Sequence, residues 1–155
     1  MKFLTDCSLG MLAKWLRIMG FDTLFYEGSA DRSLLTKAGR EGRVVLTRKR
    51  DMAQRQFSGQ MMILVSDRVE NQLKEVIDGF SLEPASWHPF SRCLRCNQVL
   101  IGIEKDKVKD RVPPYTFESQ DCFMTCPGCR GIFWPGTHRE RAEKWIRLHI
   151  QTDRP

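Results

Sequence analysis

The chain of 155 residues has no hydrophobic run long enough to cross a membrane, and its first ten residues include the charged Asp6. We therefore expect neither a signal peptide nor a membrane span, and we predict a cytoplasmic protein without a membrane partner. The sequence also lacks a glycine-rich loop that cradles nucleotide phosphates, which argues against a nucleoside triphosphatase. It has no internal repeat, so repeat architectures are excluded.

Charge of one sign is in modest excess. The formal net charge is +6, and the pI is near 9.2. Residues 1–90 carry 13 basic and 11 acidic side chains, whereas residues 91–155 carry 12 and 8. A basic balance of this size is compatible with a polyanionic partner such as nucleic acid, although charge alone does not identify one.

Four of the six cysteines form two Cys-x-x-Cys pairs, Cys93 with Cys96 and Cys126 with Cys129. Paired turns of this kind supply four thiolates to a tetrahedral zinc ion. The segment between them is too short to bury a core of its own, so we predict a structural zinc ribbon that the metal helps to fold. Disulfides or free thiols are the alternative, and disulfides require an oxidising compartment. Cys122 forms a Cys-x-x-x-Cys spacing with Cys126 and is a candidate competing ligand, although the regular pairing favours a place for it in a ribbon strand.

The first eighty residues alternate short strands with amphipathic helices. The strands are predicted at 2–5, 23–26, 44–47 and 61–65, and the helices at 8–19, 29–39, 48–57 and 69–77. Short connections between strands favour parallel neighbours and right-handed crossovers. The pattern therefore predicts a three-layer α/β domain with a parallel sheet over 1–80. A linker over 81–91 and a zinc ribbon with a basic C-terminal helix over 92–155 are predicted to follow.

Four aspartates follow the predicted strands, namely Asp6, Asp31, Asp51 and Asp67. The carboxyl ends of parallel strands meet at the edge where open α/β sheets bind their ligands. Carboxylates that converge there need a cation, and their hard oxygens suit Mg²⁺ or Mn²⁺, which can activate a water at a phosphodiester. The alternative is that these aspartates only cap the helices that follow the strands.

Basic residues cluster in two places. Arg48, Lys49 and Arg50 follow the third strand and would place positive charge where a phosphate backbone lies, although a solvated helix start gives the same pattern. The predicted C-terminal helix carries further basic residues, including Arg139 and Arg141. These five side chains are the predicted nucleic-acid contacts.

Several stretches taken together resemble a known family. They are Asp6 with Leu9-Gly10, Leu12 to Arg17, Gly20 to Thr23, Arg43 to Arg48, the two cysteine pairs, and Trp134 to His138. This combination is similar to the PIN-like ribonuclease domain with a C-terminal zinc ribbon, named for the C-terminal part of the mut-seven exonucleases. The resemblance covers nearly the whole chain. It implies a PIN-like fold in which acidic residues, here Asp6 and Asp31, bind a divalent metal and cleave RNA.

One position departs from that pattern. The family follows Leu-Thr-Arg with an aspartate, whereas this chain has Lys49 there. Asp51 comes two residues later, about 200° further around a helix, so it does not simply replace the missing acid. Two functions are therefore expected: a metal-dependent ribonuclease whose zinc ribbon aids RNA binding, or an RNA-binding module impaired in catalysis by Lys49. A protein–protein adaptor built on the ribbon is a third, and it predicts no affinity for RNA at moderate salt.

Overall fold

The computed structural model describes residues 1–150 of the chain. The chain divides into two compact units, the first unit ending at Pro89 and the second unit beginning at Phe90. In the described part, no helix combines the length and the apolar character that crossing a bilayer requires.

The first unit contains four strands and three α-helices. The strands are β1 (Lys2–Thr5), β2 (Asp22–Phe25), β3 (Val44–Thr47) and β4 (Met61–Ile63), and the helices are α1 (Gly10–Ile18), α2 (Arg32–Glu41) and α3 (Val69–Gly79). All paired strands run parallel, in the order β2-β1-β3-β4. The predicted α/β fold with a parallel sheet is therefore confirmed.

The two faces of this sheet are covered by different helices. Leu4 and Val45 pack with Leu34 of α2 on one face. Phe3, the neighbour of Leu4 on β1, lies on the opposite face, where its ring meets that of Phe21 edge to face at 5.9 Å. Neighbouring side chains of a strand point to opposite faces of the sheet. Helices α1 and α3 pack against each other. The sheet is thus the middle of three layers.

Most elements shift by one to three residues from their predicted bounds, and two differ in kind or in where they end. The sequence predicts an α-helix over 48–57, whereas the structure has a 3-10 helix at Arg50–Gln54. Met52 is the one buried residue of that helix, so a longer helix would have no apolar face to bury. Strand β4 ends at Ile63 rather than 65, because Glu75 accepts the backbone N–H groups of residues 65 and 66.

The segment after α3 packs back onto the C-terminal end of α1. The side chain of Trp87 is buried, and its indole N–H donates to the carbonyl of Leu82 at 3.3 Å. The N–H of His88 donates to the carbonyl of Met19 at 3.1 Å. Gly20 has a φ of +96°, and a Cβ there would lie 2.4 Å from the His88 carbonyl oxygen. Only a glycine allows the two backbones to approach this closely.

Up to residue 150, the second unit has a small antiparallel sheet, two α-helices and a 3-10 helix at Lys105–Val108. The strands are β5 (Ile101–Ile103), β6 (Phe123–Thr125) and β7 (Ile132–Phe133), and the helices are α4 (Pro114–Ser119) and α5 (Thr137–His149). The predicted C-terminal helix is confirmed as α5. The apolar cluster around the paired cysteines is small, with Leu100 buried and Phe133 partly buried against them.

Candidate functional site

The four paired cysteines come together in the second unit. Their Sγ atoms all lie within 4.8 Å of one another, and those of Cys93 and Cys129 are 3.7 Å apart. A tetrahedral zinc ion with bonds of about 2.3 Å to sulfur separates its ligand sulfurs by about 3.8 Å, so this cluster could bind zinc. Cys122 is exposed and lies outside the cluster, and all six cysteines are free of disulfides.

The two cysteine pairs share one backbone geometry. The first sulfur of each pair accepts the N–H of the second cysteine, at 3.4 Å in one pair and 3.5 Å in the other. The residues that follow the pairs, Asn97 and Arg130, both have a positive φ, of 62° and 57°. An N–H donor stabilises a thiolate more than a neutral thiol. Each turn is therefore shaped for a sulfur that carries negative charge.

The thiols also shift one another's proton affinities. The hydrogen bond with Cys129 raises the pKa of Cys96 to about 12. The N–H of Gly131 lowers the pKa of Cys129 to about 7, while burial raises the pKa of Cys93. Four sulfurs packed this closely resist losing all their protons, and a dication at their centre removes that resistance.

Asp6 is the central acid at the carboxyl edge of the parallel sheet, where the strands end. Its side chain is 2% exposed. One carboxylate oxygen accepts the N–H of Ser8 at 2.8 Å and the Ser8 hydroxyl at 2.6 Å, and the other accepts the hydroxyl of Thr47. Asp6 thereby caps the 3-10 helix Cys7–Leu9 and joins the ends of β1 and β3.

The position of Asp6 follows from the strand order. The chain leaves β1 for β2 on one side and later returns to β3 on the other side. This reversal opens a crevice beyond the carboxyl ends of β1 and β3, the usual ligand position in open α/β sheets. Asp6 and Thr47 lie at that point.

The other three predicted acids have separate surroundings. Asp31 caps α2 by accepting a backbone N–H at 2.8 Å. The carboxylate of Asp51 lies 3.7 Å from Lys49 and 3.7 Å from Arg55. Asp67 is exposed in the loop after β4. Within residues 1–150, the four-cysteine cluster is the only group of three or more His, Cys, Asp or Glu side chains placed to hold a metal ion.

This arrangement does not present a preformed site for Mg²⁺ or Mn²⁺. Both oxygens of Asp6 already accept hydrogen bonds from Ser8 and Thr47. Asp31 is engaged at the start of its helix. A divalent cation bound by Asp6 and Asp31 would have to displace some of these donors, so that cation site stays a prediction.

Lys49 occupies the position where the resemblance expects an aspartate. Its ammonium group donates to the carbonyl of Ala30 at 3.1 Å and lies 3.7 Å from Asp51. Its backbone N–H donates to the hydroxyl of Thr47 at 3.0 Å. Lys49 therefore ties the loop after β3 to the start of α2 and shares its charge with Asp51.

One of the basic residues after β3, Arg48, borders a cavity at the carboxyl edge. Arg48 and Arg50 are exposed. Arg48 lines a cavity of about 510 Å³ together with Ser8, Asp67 and Gln72. A guanidinium beside a cavity of this size can meet an anionic group that enters it.

The two predicted basic contacts on α5 differ in their partners. The Nε of Arg139 donates to Glu143 at 2.8 Å, and its guanidinium lies 4.8 Å from the centre of the Phe90 ring. Arg141 is exposed. An exposed arginine can reach a phosphate at little cost, whereas Arg139 would first have to release its carboxylate.

The loop after β4 is held by an acid that the sequence analysis did not single out. Glu75 of α3 accepts the N–H groups of Val65 and Ser66, both at 2.9 Å, and the Gln72 amide donates to the Ser66 carbonyl at 3.0 Å. Burial acts to raise the pKa of Glu75, but the hydrogen bonds from Ser66 and Val65 and the charge of Arg48 outweigh it, so the pKa lies below its ordinary value. In the sequence, Glu75 is one of several acids on an amphipathic helix.

We expect Glu75→Gln to weaken the first unit by about 1 kcal/mol at pH 7, since it replaces two hydrogen bonds to a half-exposed charged group. Because folding lowers this pKa, the carboxylate's contribution is complete above its ordinary value of 4.5 and is lost as the pH falls further. The difference between variant and natural protein should therefore shrink below that pH. Hydrogen exchange of first-unit amides measures this difference in the free energy of unfolding.

Glu70→Gln, on the same helix, removes an equal charge whose carboxylate lies 3.9 Å from exposed Arg68. This control should change stability by only a few tenths of a kcal/mol, as exposed ion pairs usually do. A Glu75→Gln effect that stayed constant from pH 7 to strongly acidic pH would contradict the conclusion that the Glu75 carboxylate holds the loop after β4.

The comparisons with known proteins agree with the geometry described above. The family model described as Mut7-C RNAse domain matches residues 1–146. That range includes the carboxyl edge around Asp6 and all four clustered cysteines. No curated protein and no solved structure matches the chain. Because the family model covers most of both units, the chain belongs to the Mut7-C RNAse domain family.

Proposed function

We propose that this protein is a ribonuclease with a PIN-like first unit that binds RNA across its carboxyl edge, and that the second unit aids binding. The observation that carries the proposal is the family match over residues 1–146 together with the burial of Asp6 at the strand-order reversal. Open α/β sheets bind their ligands at that point.

Asp6 is the acid on which the proposal depends. Ser8 and Thr47 fix its carboxylate between β1 and β3, so it is held in one orientation. Asp31 and Asp67 are its proposed partners at the same edge, and Asp51 is the fourth candidate. Mg²⁺ or Mn²⁺, if held by these acids, would supply an activated water and a Lewis acid at the phosphodiester.

The basic residues after β3 supply the proposed grip on the RNA backbone. Arg48 lines the cavity that also contains Ser8 and Asp67, and Arg50 is exposed beside it in the chain. Lys49 contributes charge next to Asp51. Arg139 and Arg141 add two cations on α5. Binding through such contacts releases counterions from the RNA. A higher salt concentration opposes this release, so the affinity for RNA falls steeply as salt rises.

A catalytically impaired RNA-binding module is the second candidate. It is favoured by the ammonium of Lys49 at the expected acidic position and by its 3.7 Å pairing with Asp51. Both Asp6 oxygens are also engaged by hydroxyl groups. A chain with these features can keep its RNA-binding surface while it binds a divalent cation weakly.

The experiment is a Mn²⁺ titration with single-stranded and structured RNA that compares natural protein with Asp6→Asn. The ribonuclease proposal expects cleavage that requires Mn²⁺ and falls about a hundredfold or more in Asp6→Asn, the usual contribution of a positioned catalytic side chain. Asp78→Asn, at the exposed end of α3, should cleave as the natural protein does.

Other outcomes decide between the candidates. Salt-sensitive RNA binding without cleavage, unchanged by Asp6→Asn, would favour the binding module. Mn²⁺-dependent cleavage gained by Lys49→Asp would strengthen that conclusion, because the variant restores the expected acid. No RNA binding at moderate salt would contradict both candidates and favour a protein adaptor.

A further inference from the structure

A second cavity, of about 570 Å³, lies within the second unit between α4, β7 and the start of α5. Its volume is in the range of pockets that hold one small ligand. The aromatic side chains that line it include Tyr115, Phe133 and Trp134, and the polar ones include Gln120 and Thr137. Neither the acidic edge nor the cysteine cluster makes use of this cavity.

The aromatic rings of this cavity are accessible and partly fixed. Tyr115 of α4 is 79% exposed. Trp134 packs against the buried Phe123, with ring centres 6.4 Å apart. Gly136 lies close to the same indole, since a Cβ there would be 3.1 Å from its Nε1. An exposed ring beside a fixed indole offers flat apolar surface for stacking.

The polar lining and the charge narrow the class of ligand. The Ser119 and Thr137 hydroxyls, the Gln120 amide and the Glu140 carboxylate line the same cavity, and these groups can donate to and accept from the edge of a flat heterocycle. Glu140 is the one Asp, Glu, Lys or Arg side chain in the lining, and its chain neighbours Arg139 and Arg141 are exposed, so a phosphate attached to the ligand would be met by these two cations outside the cavity. A nucleobase on a phosphate backbone combines both properties.

We propose that this cavity binds one unpaired base of single-stranded RNA, stacked on Tyr115 and Trp134. The inference rests on the proposed function, because RNA is the assumed partner, and it adds a preference for unpaired strands. A base within a duplex is stacked on its neighbours and cannot enter a pocket, whereas a base in a single strand can be turned out and stacked on protein rings.

The test measures binding of a fluorescent single strand of about 12 nucleotides, and of a duplex of equal length, to the full chain without added divalent cation. Tyr115→Ala should weaken binding of the single strand about tenfold and leave duplex binding unchanged. Tyr115→Phe keeps the ring and should bind as the natural protein does. Leu148→Ala removes a side chain that is 55% exposed on α5 outside the cavity and should also have no effect.

Two further readouts keep the test decisive. The Trp134 indole N–H signal in an NMR spectrum should move when the single strand is added. Gly136→Ala should shift the same signal even without RNA, because a Cβ there would lie 3.1 Å from the Trp134 Nε1 and the ring must yield by a few tenths of an ångström. Zinc content and NMR dispersion show whether each variant is folded.

The outcomes separate this inference from the proposed function. Equal affinity of Tyr115→Ala and natural protein for the single strand, with no change at Trp134, would overturn the base site and leave RNA binding at the sheet edge intact. Absence of any RNA binding by the natural protein would overturn both. A peptide rich in aspartate and glutamate that moves the Trp134 signal when RNA does not would also overturn the base site.

Discussion

Loss of metal from the four-cysteine cluster is expected to unfold the second unit while the first unit stays folded. The second unit's strands are two or three residues long, and the buried side chains around its cysteines are few. Structural zinc supplies about 10–16 kcal/mol to small zinc-dependent folds, which exceeds the net stability of most domains. The first unit has its own extensive core.

Cys126→Ser is the sharpest form of this prediction. Cys126 is fully buried in the cluster, so the variant should fail to bind zinc and should lose the dispersed NMR signals of the second unit. Cys122→Ser is the matched control, since Cys122 is exposed and outside the cluster. Metal analysis and hydrogen exchange, resolved by unit, measure both effects. A second unit that remained protected in Cys126→Ser would show that the cluster does not maintain the fold.

Gly20→Ala is expected to destabilise the first unit by about 2–5 kcal/mol. The φ of +96° costs an alanine about 1–2 kcal/mol, and forcing atoms apart in a packed region costs about 1–3 kcal/mol more. The atom that the new Cβ would meet is the backbone carbonyl oxygen of His88, at 2.4 Å. A backbone carbonyl cannot swing aside as a flexible side chain can, so the segment around Trp87 must move.

Gly42→Ala provides the control for this prediction. Gly42 also has a positive φ, of +60°, but no atom lies within 4 Å of a Cβ placed there. It should therefore lose only the conformational cost of about 1–2 kcal/mol. Denaturant unfolding, followed by hydrogen exchange of first-unit amides, compares the two variants. Equal losses of unfolding free energy in the two variants would show that the His88 backbone moves aside at little cost.

Local patterns were sufficient to predict much of the fold. The cysteine pairs can be recognised in the sequence because each turn needs only four consecutive residues. The structure brings the two turns together. The run Val44-Val45-Leu46-Thr47 predicts a strand buried on both faces, and all four residues are buried in β3. These features depend on near neighbours in the chain, which a sequence displays directly.

The partners of the acids depend on distant residues and could not be predicted in the same way. Thr47 reaches Asp6 from 41 positions away, through the pairing of β1 with β3. The rule that strands end at a common edge predicts proximity, but it does not predict which hydroxyl groups fill the space. The clamp of Glu75 on the loop after β4 depends likewise on the angle at which α3 packs. Asp31 caps α2, as the helix-capping alternative expects, and its role as a metal ligand stays a prediction.

The hydrogen bonds of Asp6 have an evolutionary consequence. Because its carboxylate caps a turn and joins two strands, selection for folding alone will retain Asp6 in a lineage that has stopped cleaving RNA. Position 49 is less constrained, because the contact of Lys49 with the Ala30 carbonyl and its pairing with Asp51 are made by a half-exposed ammonium group. Among relatives that have lost activity, the residue at position 49 should therefore vary, while the aspartate at position 6 should be retained.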